Sequence, residues 1–267
     1  MTATRAALIA LTLLLVACTS PPHDVRGERE PFAPPDDPAA LSPVERLGYE
    51  IHLHDQAAWL ATEEALAQGL LETGAVGWIT VEQDFGTVLV RFVGPCDDDP
   101  EAACAHVDVT VGATPIVLKP SPPEPLPDAH VAAWRARQIA LASGFRACTA
   151  RTNTVVLPDV HESAAAWRVY LIATSTEPDE VVLAGHHRIT VSGDGRQLLR
   201  AEPLSQGCLV IEPDPRAEAL FVTHVLDPAP IETHVFTSLD YRMPLVVGTE
   251  SGLYRVEGTS IRLERAR

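Results

Sequence analysis

What most restricts the fold of this 267-residue chain is a set of four cysteines, Cys96, Cys104, Cys148 and Cys208, because a cystine needs its two Cα atoms within about 7 Å. Whether they pair depends on the compartment, and the first residues speak to it. Arg5 gives a short positive start, the stretch from Ala6 to Val16 is uncharged and almost wholly apolar, and small residues lie at its end. That layout is a secretory signal peptide. Its apolar core is about half the roughly 20 residues that a membrane-crossing helix needs. An exported chain meets an oxidising environment, where four further cysteines read as two disulfides. Of the three possible pairings we favour Cys96 with Cys104, around a tight loop, and Cys148 with Cys208, joining the end of a helix to a distant strand. Loop-closure entropy assigns about 2.6 kcal/mol to the short ring and about 4.3 kcal/mol to the long one, as upper figures. A thiolate nucleophile or Cys-ligated metal is the lesser reading, since no pair has CxxC spacing.

Leu15-Val16-Ala17-Cys18 resembles the lipobox of bacterial lipoproteins, in which a dedicated signal peptidase cuts before a cysteine that carries a diacylglyceryl thioether. The resemblance implies a signal peptide over 1–17, lipidation of Cys18 with palmitate among its acyl chains, and a membrane as partner through that lipid. Thr19, rather than an aspartate, follows the cysteine, which implies sorting to the outer membrane. Residues 18–43 then read as a tether: seven prolines fall between Thr19 and Pro43, with several acids and almost no large apolar residue. In an extended polyproline conformation it reaches at most roughly 75 Å.

Residues 44–267 have the composition of a folded domain. Apolar residues make up 46% of the chain, enough to bury a sizeable core. Net charge is -16, overall the wrong sign for phosphate backbones or anionic membrane surfaces, so nucleic acid is excluded as a partner. Lys119 is the only lysine, lies between Leu118 and Pro120, and has no glycine-rich loop before it, which removes Schiff-base and P-loop chemistry.

Ser42-Pro43-Val44-Glu45 is the clearest helix start, a capping serine before proline with a glutamate three residues on, and helical periodicity continues to about Leu70. Leu47, Ile51, His54, Ala58 and Ala65 form one stripe, flanked by Trp59 and Leu66, that should face the core. Gly77 to Val93 reads as two strands turning near Asp84-Phe85-Gly86, and His106 to Leu118 as one or two more. A proline-dense break at 120–127 marks a possible sub-boundary. After it, Asp128 to Ala147 reads as a second helix anchored by Trp134, Ile139 and Leu141. From Thr152 onward the chain is strand-like, over 167–174, 181–191, 198–202, 208–211 and 220–225, with a hairpin turn at Ser192-Gly193-Asp194-Gly195. The expectation is an α+β fold in which two main helices pack on antiparallel sheets, arranged as two similar lobes.

Ten histidines and 36 acids invite catalytic readings, but geometry thins them. In a helix His52 and His54 project about 200° apart and cannot share an ion; His52 shares a side with Asp55, and His54 reads as a packed, hydrogen-bonded core histidine. In a strand His186 and His187 point to opposite faces. Asp97, Asp98, Asp99 and Glu101 lack the DxDxDG spacing of a calcium loop and read as a solvated turn. No GxSxG, HExxH, GxGxxG or P-loop pattern occurs, so no cofactor, metal ligand or catalytic residue is assigned.

Two further resemblances bear on function. Leu245 to Arg255 is similar to one blade motif of β-propeller repeats, but it occurs once where a propeller needs several, so it reads as a hairpin turning at Ser251-Gly252. Asp55 to Thr62, Gly77-Trp78 and Glu232 to Phe236 look like short blocks in exported Gram-negative proteins of no assigned activity. The expectation is a membrane-anchored, periplasm-facing lipoprotein with a binding or envelope-maintenance role. The alternative is an anchored hydrolase whose His, Asp and Glu residues are brought together only by folding.

Overall fold

The computed structural model describes residues 37–70, 74–84, 86–99, 101–112, 115–118, 122–159 and 165–267. The segment expected to be a signal peptide, Cys18, most of the segment expected to be a tether, Phe85 and Lys119 lie outside the described residues. The described chain is α+β, with three α-helices and sheets that are almost entirely antiparallel.

Helix α1 (Pro43–Ala67) starts where the sequence predicts: the Glu45 N–H donates to the Ser42 hydroxyl and the Ser42 N–H donates to the Glu45 carboxylate. It is covered on two flanks rather than along one stripe. Tyr49, Leu53, Ala57, Ala61 and Ala65, spaced four apart, pack against the first sheet, while Ile51 enters a separate core. The predicted flank is corrected, because Trp59 is 38% exposed and Leu66 55% exposed. Periodicity locates a buried arc on a helix but does not reveal a second neighbour that moves its edges.

The first sheet runs β1 (Gly77–Asp84), β2 (Thr87–Pro95), β3 (Ala103–Val111) and β4 (Ile116–Leu118), with β5 (Glu124–Pro125) pairing to the start of β3. Val88, Val90, Phe92, Val107, Val109 and Val111 face α1. Pairing jumps from Phe92–Val107 to Val93–Ala105, so His106 is an extra residue in β3. That bulge turns Ala105 over to join Val93 in the core beneath the second helix.

Helix α2 (Asp128–Leu141) ends six residues before the expected Ala147. The expected anchors are also corrected: Trp134, Ile139 and Leu141 are only partly buried, and Ala132, Ala133, Ala136 and Ala140 face the core instead. Small side chains let the helix lie close on a sheet whose own residues fill the space.

That sheet comprises β6 (Arg151–Asp159), β7 (Ala166–Thr174), β9 (His187–Ser192) and β10 (Leu198–Pro203), in the order β10-β9-β7-β6. The single strand expected over 181–191 is two. β8 (Val181–Ala184) leaves to pair with β11 (Leu209–Ile211), and the break falls at Gly185, whose φ of 110° only glycine adopts readily. The last sheet holds β12 (Leu220–Thr223), β13 (Leu245–Gly248), β14 (Gly252–Glu257) and β15 (Ser260–Ala266). β12 and β13 are parallel, which requires a crossover, and helix α3 (Glu232–Asp240) supplies it. The expectation of strands alone after Thr152 is thus corrected. α3 crosses α1 at Gly48, where an added Cβ would meet the Val235 Cβ at 2.5 Å.

Candidate functional site

Strands β6, β7 and β9 send buried residues to both faces of their sheet, while β10 is a largely exposed edge, and alternate residues of the same strands carry two chemistries. Toward α1 and α3 point Val155, Leu157, Tyr170 and Ile172, followed along the cross-strand rows by Arg188 and Glu202. Glu232, in the first turn of α3, closes this face: the Tyr170 hydroxyl and Arg188 Nη1 each donate to Glu232 Oε1 at 2.7 Å. Arg188 Nε reaches the Glu202 carboxylate at 3.3 Å. Beside this chain Arg168 clasps Asp159 through Nε at 3.2 Å and Nη2 at 2.8 Å. Burial, reinforced by the Glu232 charge, holds the Tyr170 phenol well above its ordinary range.

Histidines gather on the same side. His186 Nδ1 accepts from the Ala173 N–H at 3.1 Å and its ring meets Phe236 edge-on. His234 Nδ1 accepts from the Ile231 N–H at 3.0 Å, and its ring stands 4.8 Å from that of His224. Burial pushes His186 down to about 4, with His187 adding to the shift and Asp240 opposing it. Burial pushes His234 down to about 3, with His224 and His186 adding to it. Both are neutral structural histidines, each with a ring nitrogen committed to the backbone.

The opposite face is apolar, with Val156, Val169, Leu171, Ile189 and Val191 packed under α2. Because α2 stops at Leu141, the end of this face toward His187, Ala201 and Pro203 is left without a helix over it. A cleft of about 780 Å³ forms there. Its floor is His187, Ile189, Ala201 and Pro203; one wall is the loop 143–148 and the other the loop 205–208, with Leu226 at the side. The Cys148–Cys208 cystine ties the walls together, with Cα atoms 5.3 Å apart. Gly185 is required beneath it, since an added Cβ would lie 2.5 Å from both Cβ and Sγ of Cys148. Ser205 braces the second wall by accepting from the Gly185 N–H and donating to the Gly207 carbonyl, each at 2.8 Å. Phe145 meets His187 edge-on at 5.5 Å. Burial lowers the His187 pKa, opposed by the Gly185 backbone, so the ring is neutral at pH 7.

A serine, a histidine and a glutamate thus border one cleft: Ser143, His187 and Glu202. They do not form a relay. Glu202 pairs across with Arg188 and His187 with Pro203, so alternation sends the Glu202 carboxylate to the far face, onto Arg188 and Arg200. A larger groove, about 1300 Å³, runs along α2 from Asp128 to Ile139 beside the β9–β10 turn, and is lined by Trp134, Arg135 and Arg196 among others.

The sequence-derived sites fall as follows. Cys96 and Cys104 are bonded, with Cα atoms 5.1 Å apart, so both favoured disulfides are present. Cys148 does not close α2 but lies seven residues past its end, so the long bridge joins two loops. His54 is a core residue, its Nδ1 bonded to the Thr80 hydroxyl at 2.7 Å. The His52 ring lies 6.4 Å from that of Phe236 and tilted to it, and Asp55 accepts from the Asn153 side-chain amide. His186 and His187 face opposite ways as expected. Asp97, Asp98, Asp99 and Glu101 are exposed, and among the described residues no group of three His, Cys, Asp or Glu is placed to hold a metal. Sequence reasoning missed Phe145, Gln206 and Leu226 as cleft residues; only the Cys148–Cys208 pair hinted that their segments meet. No protein-family model, curated protein or solved structure matches the chain.

Proposed function

We propose that the protein is a membrane-anchored, periplasm-facing lipoprotein, lipidated on Cys18 and favouring the outer membrane, whose body binds a ligand. The observation that carries the binding role is the cleft beside Cys148–Cys208. Its volume lies in the range of small-molecule sites, its floor is mainly apolar, and neutral His187 with Gln206 supplies a few polar groups. Tyr170, Glu232, His186 and His234 are absorbed in internal hydrogen bonds on the far side of the sheet. Two disulfides suit an oxidising compartment. In this reading α1 with the sheet after it, and α2 with the sheet after it, are two similarly built halves of the body.

Two measurements test the proposal. Palmitate labelling should mark the wild type, and Cys18→Ser should abolish it and leave an unprocessed precursor; normal-sized, acylated product from that variant would sink the anchor. Native mass spectrometry of protein released from its own membranes should show a bound species that Ala201→Trp, which fills the cleft floor, displaces. Hydrolysis of model esters that His187→Ala abolishes would favour the anchored-hydrolase alternative.

A further inference from the structure

The geometry points to the outer face of the C-terminal sheet as the surface on which the body lies against an anionic lipid membrane, an inference that rests on the Cys18 anchor proposed above. The inner face of β12, β13 and β14 is committed to the fold: Leu220, Val222, Leu245, Val247 and Val256 pack with α3. Strand alternation then turns Phe221, Val246 and Leu253 outward. Phe221 is 60% exposed. Its ring and the Leu253 side chain close over Gly248, where an added Cβ would lie 3.5 Å from Phe221 and 3.6 Å from Leu253. A flat apolar strip results.

Arginines border it. Arg255 pairs across with Arg262, and Leu253 with Arg265. Arg262 and Arg265 are three apart and would face opposite ways in a regular strand, but Glu264 is an extra residue between the paired positions, and this bulge turns both arginines outward. Arg255 touches Glu257 at 3.1 Å, and Arg262 Nε donates to the Ser260 hydroxyl at 3.2 Å. Neither Arg262 nor Arg265 meets an acid among the described residues. Residues 241–267 carry five arginines against three glutamates in a chain of net charge -16, so this end of an acidic chain is locally basic.

The tether enters the body next to this face, and the lipid proposed on Cys18 keeps a membrane within its reach. Glu45, in the first turn of α1, accepts from the Ile261 N–H of β15 at 2.8 Å. The segment that runs back to Cys18 therefore joins the body beside this sheet. The apolar Phe221 ring suits the boundary between headgroups and acyl chains, arginines gain several-fold each in affinity near an anionic surface, and the acidic remainder is repelled from it. One orientation satisfies all three.

The test uses the mature, acylated protein on phosphatidylcholine vesicles with and without phosphatidylglycerol, read by amide hydrogen exchange. With the anionic lipid at low salt, exchange in β14 and β15 should slow on the order of tenfold, and added salt should reverse it. Combining Arg262→Glu with Arg265→Glu should remove the protection while the protein still sediments with the vesicles. Equal exchange on both lipids, protection that survives charge reversal, or protection conferred instead by an acidic protein in solution would overturn the inference. If Cys18 proves to carry no lipid, the anchor has failed on its own. Sedimentation of the unacylated chain with anionic vesicles, abolished by the same reversal, would then still support the surface, and its absence would overturn it.

Discussion

The two faces of the β6–β7–β9–β10 sheet are made by neighbouring residues of the same strands, yet one sets a chain of charged groups among its hydrocarbon and the other is mainly hydrocarbon, with the Arg137 guanidinium on the Thr154 hydroxyl as its buried polar contact. Val169 and Ile189 lie in the apolar layer under α2, whereas Tyr170 and Arg188, one residue away, enter a hydrogen-bonded chain ending on Glu232. The difference lies in what covers them. α2 offers four alanines and the one cation Arg137, held by Thr154, along its buried side and can lie close; α3 brings Glu232 in its first turn at 3% exposure, and that carboxylate needs polar partners. A buried carboxylate is tolerated only when paired and hydrogen-bonded, so the polar face is an obligation of that docking.

Acid should break the comparison most. His186 and His234 have folded pKa values of about 4 and about 3 against an ordinary 6.5, so between these limits the unfolded chain binds more protons than the folded one. Stability therefore holds above pH 6.5 and is lost as pH falls toward 4, by up to about 1.4 kcal/mol per pH unit for each histidine. Chemical denaturation across that range checks the slope; a flat profile would mean the two rings are not buried as described. Next, Glu232→Ala should cost about 2 to 3 kcal/mol by stranding the Tyr170 hydroxyl and leaving Arg188 with Glu202 alone, and combining it with Arg188→Met should recover part of that loss. An additive double variant would show that the pair is not coupled.

On the cleft side the lever is covalent. Cys208→Ala should destabilise by up to about 4 kcal/mol and expose one new thiol at Cys148, and Cys96→Ala should cost less, up to about 2.6 kcal/mol, because its ring is shorter. The order of the two effects is the test. The smallest contrast lies on α1: Ile51→Ala, at 0% exposure, should cost about 2 to 5 kcal/mol, and Trp59→Ala, at 38%, about 1 kcal/mol or less. Equal costs would mean that Trp59 packs more tightly than its exposure indicates.

Local signals carried far along this chain. The capping box at Ser42, the β1–β2 turn, the β9–β10 hairpin and the opposed directions of His186 and His187 are consequences of side-chain spacing and turn chemistry, and each was legible in the sequence. The two cystines followed from counting and from loop length. α3 was not legible, because Glu232-Thr233-His234-Val235-Phe236 has weak helix formers; it is helical because β12 and β13 run parallel and a crossover must join them. The cleft was hidden for a related reason. Its floor, walls and side come from four separate segments, between Ser143 and Leu226, that meet only once β9 and β10 have paired and α2 has stopped short. Spacing along a chain fixes which way a side chain points from its own strand or helix; which surfaces then face each other depends on contacts between distant segments, and those the tertiary structure alone decided.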